Sequence, residues 1–112
     1  MKNLSTYMQQ SLKEQEIMDS VKSIITSISE FSCVKEYQYP DSFKSADIMV
    51  LYNKEPYASI EVKTNLRHTR VQELGKQQLE YGRDRLLMRF GVLTDGSYSI
   101  LYDWWKDGSE QE

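Results

Sequence analysis

Three charged residues stand in two segments whose composition otherwise calls for burial. The segments are Ala46-Asp47-Ile48-Met49-Val50-Leu51 and Ala58-Ser59-Ile60-Glu61-Val62-Lys63, each a short, mostly apolar run of strand length. A buried charge is costly unless it is paired or binds a metal. Glu61 and Lys63 are two apart, so on a strand they share one face, with Ile60 and Val62 on the other. If the two strands run antiparallel, the start of the first lies beside the end of the second, and Asp47 comes near Glu61. Two carboxylates with a backbone carbonyl between them, that of Val62, make an oxygen donor set suited to Mg²⁺ or Mn²⁺. Such an ion polarises a phosphodiester and lowers the pKa of an attacking water. Lys63 can orient that water, accept its proton or offset charge on the phosphate. An ordinary salt bridge between Lys63 and Glu61 or Asp47 is the competing explanation of so short a motif.

The elements that must position these residues are legible in the patterning. Residues 4–30 read as one long helix, with Ile17, Val21, Ile24 and Ile28 recurring as an apolar stripe. Residues 31–39 have the β-branched and aromatic character of a first strand, and Pro40-Asp41-Ser42 signals a turn. Residues 46–52 form the second strand. Asn53 to Pro56 make a hairpin-type connection, and residues 57–63 form the third strand, antiparallel to the second. After a polar loop, Thr64 to His68, Thr69 can cap a helix running to Arg85 or Met88, with Val71, Leu74, Gln78 and Tyr81 on one face. Residues 90–94 form the fourth strand. Asp95-Gly96 is a tight-turn signal, and residues 98–102 form the fifth strand. The expectation is an α/β domain of order αβββαβ(β), a mixed central sheet flanked by helices.

At 112 residues the chain is expected to be one domain with a single core. No apolar run approaches the roughly 20 residues of a membrane-spanning helix, so no membrane partner is expected. The N-terminus lacks a signal-peptide pattern, and the expected compartment is the cytosol. One cysteine, Cys33, excludes an internal disulfide and a cysteine-based zinc cluster. The formal net charge of −3 seems to disfavour a nucleic-acid partner, but the charge is unevenly spread. Between Ile60 and Phe90 seven basic residues face four acidic ones, a net +3 beginning at the candidate site. A local field of that kind can hold a phosphate backbone despite an acidic total, although a solvated helix face of mixed charge has the same composition.

Taken together, Ser45-Ala46-Asp47, Ile60-Glu61-Val62-Lys63 and Gln77-x-x-x-Tyr81 resemble the PD-(D/E)xK nuclease superfamily, and within it the N-terminal nuclease domain of type I restriction enzyme R subunits. The resemblance covers roughly residues 14–102 and implies a restriction-endonuclease-like core. It implies a Mg²⁺- or Mn²⁺-dependent endodeoxyribonuclease of restriction or defence type, with DNA as partner. Asp47 and Glu61 take the place of metal ligands, Lys63 that of the catalytic lysine, and Gln77 and Tyr81 that of residues placing DNA beside the metal. Ala46 stands where the family's proline would be. No Walker-type Gly-x-x-x-x-Gly-Lys occurs, so the expectation is a stand-alone minimal nuclease or a domain of a larger, multisubunit enzyme. Many members also carry an acidic residue on the first helix. Glu14 lies within roughly 40° of the apolar stripe and Glu16 about 120° away, so Glu14 is the candidate.

Arg67 and Arg70 are further DNA-binding candidates, since an Arg fork suits phosphate oxygens, and Lys44 precedes Asp47 closely enough to join them. Gln78 replaces Gln77 if the helix register differs. His68 reads as polar surface, Tyr37, Tyr39, Tyr52 and Tyr57 as strand packing, and Trp104 and Trp105 as a core cap or an interface. Two other functions fit the same residues. One is a nuclease-like module that binds nucleic acid or a partner without cutting. The other is a homodimeric junction-resolvase-like nuclease.

Overall fold

The structure is a computed structural model describing residues 4–106, with side chains from residue 12 onward. Helix α1 (Leu4–Thr26) leads into strands β1 (Phe31–Gln38), β2 (Ser45–Tyr52) and β3 (Glu55–Val62). Helix α2 (Thr69–Arg85) then carries the chain to β4 (Phe90–Thr94) and β5 (Ser99–Asp103). This is the expected αβββαββ order. The five strands form one mixed sheet in the order β1-β2-β3-β4-β5. Every neighbouring pair is antiparallel except β3–β4, which is parallel because α2 returns the chain to the same end.

The two helices cover opposite faces. On the α1 face, Met18 packs on Ile48, Val50, Ala58, Ile60 and Val62, with Ile17, Val21 and Ile25 around it. On the α2 face, Leu79 packs with Leu66, Leu93 and Trp104, and Met88 with Tyr39, Ala46 and Met49. Strand β3 therefore has Ile60 and Val62 toward α1 and Ser59 and Glu61 toward α2, as its alternation requires.

Several boundaries differ from the sequence reading for identifiable reasons. Helix α1 stops at Thr26 rather than residue 30, and the Thr26 and Ser27 hydroxyls bond back to carbonyls of its last turn. Its apolar stripe runs through Ile17, Met18, Val21 and Ile25, whereas Ile24 and Ile28 are exposed. The β2–β3 connection is tighter than residues 53–56. Asn53 and Lys54 both have positive φ, 50° and 70°, the two-residue turn whose twist suits a hairpin, and Pro56 already lies in β3. His68 rather than Thr69 caps α2, its Nδ1 accepting from the Arg70 N–H at 3.2 Å. The buried face of α2 is Gly75, Leu79 and Gly82, not the Val71–Leu74–Gln78–Tyr81 row. Leu74 is exposed, and glycines carry no hydrophobic signal for a periodicity count to detect.

Candidate active site

Backbone pairing fails on both sides of Asp47. The β2–β3 ladder runs regularly from Val50/Ala58 to Ile48/Ile60 and stops before Asp47 would meet Glu61. The β1–β2 ladder passes from Lys35/Ile48 to Tyr37/Ala46 without pairing Glu36 to Asp47. Glu36 sits there at φ 52°, a left-handed conformation uncommon outside glycine. Side chains replace the missing ladder bonds. The Val62 N–H donates to Asp47 Oδ2 at 2.8 Å, and the Asp47 N–H donates more weakly to Glu61 Oε2 at 3.4 Å. In an extended strand a residue's N–H and C=O leave on the same side, so the Val62 carbonyl also faces Asp47.

Glu61 is buried, 3 % exposed, and its pKa is pushed up to about 8. Burial is the main cause and the Asp47 charge the second, with Lys63 opposing both. None of the three ion pairs formed among the described residues involves Lys63. The salt-bridge explanation of Glu-x-Lys therefore loses its geometric basis: Lys63 is near enough to oppose the rise at Glu61 but forms no ion pair with it or with the half-buried Asp47.

Asp47, Glu61 and Lys63 open onto a cleft of about 380 Å³ at this end of the sheet. Glu14 reaches it from α1, where burial raises its pKa against the pull of Lys63 and a bond from the Thr64 backbone. It lies four, seven and eleven residues before Met18, Val21 and Ile25, squarely on the inward stripe. Among the described residues, no three His, Cys, Asp or Glu side chains gather closely enough to hold a cation directly. The oxygen atoms that could face a cation here are those of the Asp47–Glu61 pair and the Val62 carbonyl, with Glu14 beside them. This hard-oxygen set fits Mg²⁺ or Mn²⁺, and a cation there would relieve the repulsion that raises the Glu61 pKa.

Helix α2 supplies Gln78 and Tyr81 to the cleft, and not Gln77. At 100° per residue Gln77 points roughly opposite the buried Gly75–Leu79–Gly82 face, whereas Gln78 lies beside that face and Tyr81 further round on the same side. Lys44 lines the cleft, its Nζ 4.9 Å from the Tyr81 ring centre. Arg67 lies elsewhere, over the Tyr98 ring at 4.5 Å and along a neighbouring concavity with Thr64, Asn65 and His68. Arg70 is exposed and lines neither. Tyr39, read as strand packing, lines the cleft with its hydroxyl buried and without a hydrogen-bond partner among the described residues. Burial, then the Glu61 charge, pushes its pKa up to about 12.

No family model and no curated protein matches the chain. A solved structure of a candidate nuclease belonging to DUF820, from Anabaena variabilis, is similar over 81% of this chain and 67% of that one, at 14% identity and a TM-score of 0.49.

Proposed function

We propose that the chain is a metal-dependent endodeoxyribonuclease of the PD-(D/E)xK type. The observation that carries this reading is the break in the sheet at Asp47. Two carboxylates meet there in place of ladder bonds, one of them buried, and Lys63 stands on the same strand face with no ion pair among the described residues.

Asp47, Glu61 and the Val62 carbonyl would hold the ion. When bound, Mg²⁺ or Mn²⁺ would supply Lewis-acid polarisation of the phosphodiester and a water of lowered pKa. The Lys63 ammonium donates hydrogen bonds toward the scissile phosphate and the attacking water, offsetting negative charge as the water oxygen bonds to phosphorus and the bond to the leaving sugar oxygen breaks, that oxygen taking up a proton from solvent. Glu14 bonds a water of the cleft. Gln78 and Tyr81 orient the strand, and Lys44 pairs with a flanking phosphate, which fixes register without reading sequence. A restriction or defence role, and kinship with type I R subunits, rests on the sequence resemblance.

The test is nicking of supercoiled plasmid in Mg²⁺ or Mn²⁺. The parent should nick, and Lys63→Ala and Asp47→Ala should each lose at least about 10²-fold. A second reading, a binding module on the same fold, is favoured by the lack of a three-carboxylate cluster among the described residues. DNA binding without nicking by the parent, unchanged in Lys63→Ala, would decide for it.

A further inference from the structure

We propose that the concavity beside the catalytic cleft, under the β1–β2 hairpin, binds an unstacked nucleobase carrying an exocyclic amino group. The proposal rests on the nuclease reading, and it makes the preferred substrate DNA with a base out of the stack next to the cut phosphate. This concavity, of about 630 Å³, is lined by Gln38, Tyr39, Asp41, Ser42 and Phe43. Tyr39 also lines the catalytic cleft, so one residue borders both.

Phe43 is fully exposed, at 105 %. Single exposed hydrophobes are ordinary on protein surfaces. Phe43 differs in standing at the mouth of a cleft with a π-face available for stacking. The turn that presents it is ordered. The Ser42 hydroxyl hydrogen-bonds to the Tyr81 hydroxyl of α2 and accepts from the Lys44 N–H at 2.9 Å. The Gln38 side-chain amide donates to the Ser42 carbonyl at 2.7 Å, and the Tyr39 N–H to the Lys44 carbonyl at 3.0 Å. With the turn backbone fixed in this way, only the side-chain torsions of Phe43 remain to be ordered when a base stacks on its ring.

The charges lie where a strand would need them. Lys44 and Arg85 both sit over the Tyr81 ring, at 4.9 and 3.8 Å, and Lys44 lines the catalytic cleft. Lys44 suits a phosphate backbone entering that cleft. Asp41 is the exception, an exposed carboxylate in the second concavity with no ion pair or hydrogen bond from its side chain among the described residues. A carboxylate repels phosphate and accepts from an amino group, as acidic side chains do toward cytosine N4. With its amide nitrogen committed to Ser42, Gln38 has its side-chain oxygen left as a second acceptor. Stacking face and acceptors together favour cytosine over thymine.

The test is fluorescence anisotropy of labelled oligo-dC, oligo-dT and a duplex in EDTA, which needs no cleavage. The parent should bind oligo-dC several-fold tighter than oligo-dT, and Asp41→Asn should erase that preference. Phe43→Ala should weaken single-strand binding about tenfold or more and leave duplex binding within about twofold. Phe43→Trp should keep the affinity and Phe43→Leu should not. Equal single-strand binding by the parent and Phe43→Ala, or by the parent and Phe43→Leu, would overturn the proposal even if plasmid nicking is robust. Absence of Lys63-dependent nicking would instead remove the nuclease reading, while the binding comparison still decides the subsite.

Discussion

Glu61 keeps its proton into the neutral range because burial and the Asp47 charge both oppose ionisation. The sign of the consequence follows from linkage. Its pKa rises from 4.5 in the unfolded chain to about 8 in the fold, so between those values the folded state holds a proton that the unfolded state has released. This contribution to stability is complete below pH 4.5 and is lost as pH rises through about 8. Glu61→Gln carries no charge and lacks that loss. It should be nicking-dead yet more stable than the parent at pH 9, by up to roughly 5 kcal/mol at about 1.4 kcal/mol for each pKa unit, and equal to it near pH 4 by urea denaturation. In the proposed metal site the same proton would compete with the cation. Added Mg²⁺ should raise the parent's melting temperature more at pH 8 than at pH 6, and should do nothing for Asp47→Ala. An equal Mg²⁺ effect in Asp47→Ala would take the ion away from this pair. These three residues were legible because charges interrupt apolar strands. Tyr39 was read as packing, and its burial with Ala46, Met49 and Met88 bears that out; its further place in the cleft wall was not legible, since a packed tyrosine looks the same in sequence wherever its ring edge lies.

At the scale of elements, the strands and their order were read correctly because alternation and turn residues signal them locally. Helix phase was misread in both helices. In α1, Ile24 and Ile25 are adjacent and both apolar, and packing took the second. In α2 the face against the sheet is built on two glycines, which let the helix approach so closely that hydrophobic counting finds the wrong side. The cost was the choice of Gln77 over Gln78. The close approach makes a prediction. A Cβ on Gly82 would collide with the Tyr39 hydroxyl and lie 2.7 Å from its ring carbon, with Met88 also near. A Cβ on Gly75 would lie 2.5 Å from a methyl of the buried Leu93, a contact that a turn of that one side chain would have to relieve. Alanine in mid-helix should otherwise gain about 1 kcal/mol. Gly75→Ala should therefore be near neutral, and Gly82→Ala should cost about 1–3 kcal/mol of overpacking and displace Tyr39 from the cleft. Tyr39→Phe should recover part of the Gly82→Ala loss, because it removes the colliding atom. Calorimetry on the two single variants and the Gly82→Ala/Tyr39→Phe pair checks this.

For the molecule as a whole, the proposed function asks how a chain of net charge −3 would hold a polyanion. Acidic residues lying away from the cleft act through solvent and are screened beyond roughly 8–10 Å at physiological salt, so they weaken binding little. Affinity then depends on cations that touch phosphate, and each contact releases counterions and steepens the salt dependence by about 0.9 in the log–log slope. The sequence offered Lys44, Arg67 and Arg70 without ranking them. The fold ranks them, since Lys44 lines the Asp47–Glu61 cleft, Arg67 leans on Tyr98 beside a neighbouring concavity, and Arg70 lines neither. Lys44→Ala should lower the slope of log affinity against log salt for duplex DNA by about 1. Arg70→Ala should leave the slope unchanged, and Arg67→Ala should lower it only if the duplex extends past the Thr64–His68 loop. An Arg70→Ala effect as large as that of Lys44→Ala would place the DNA along the outer face of α2, away from Asp47 and Glu61, and would separate binding from the cleft.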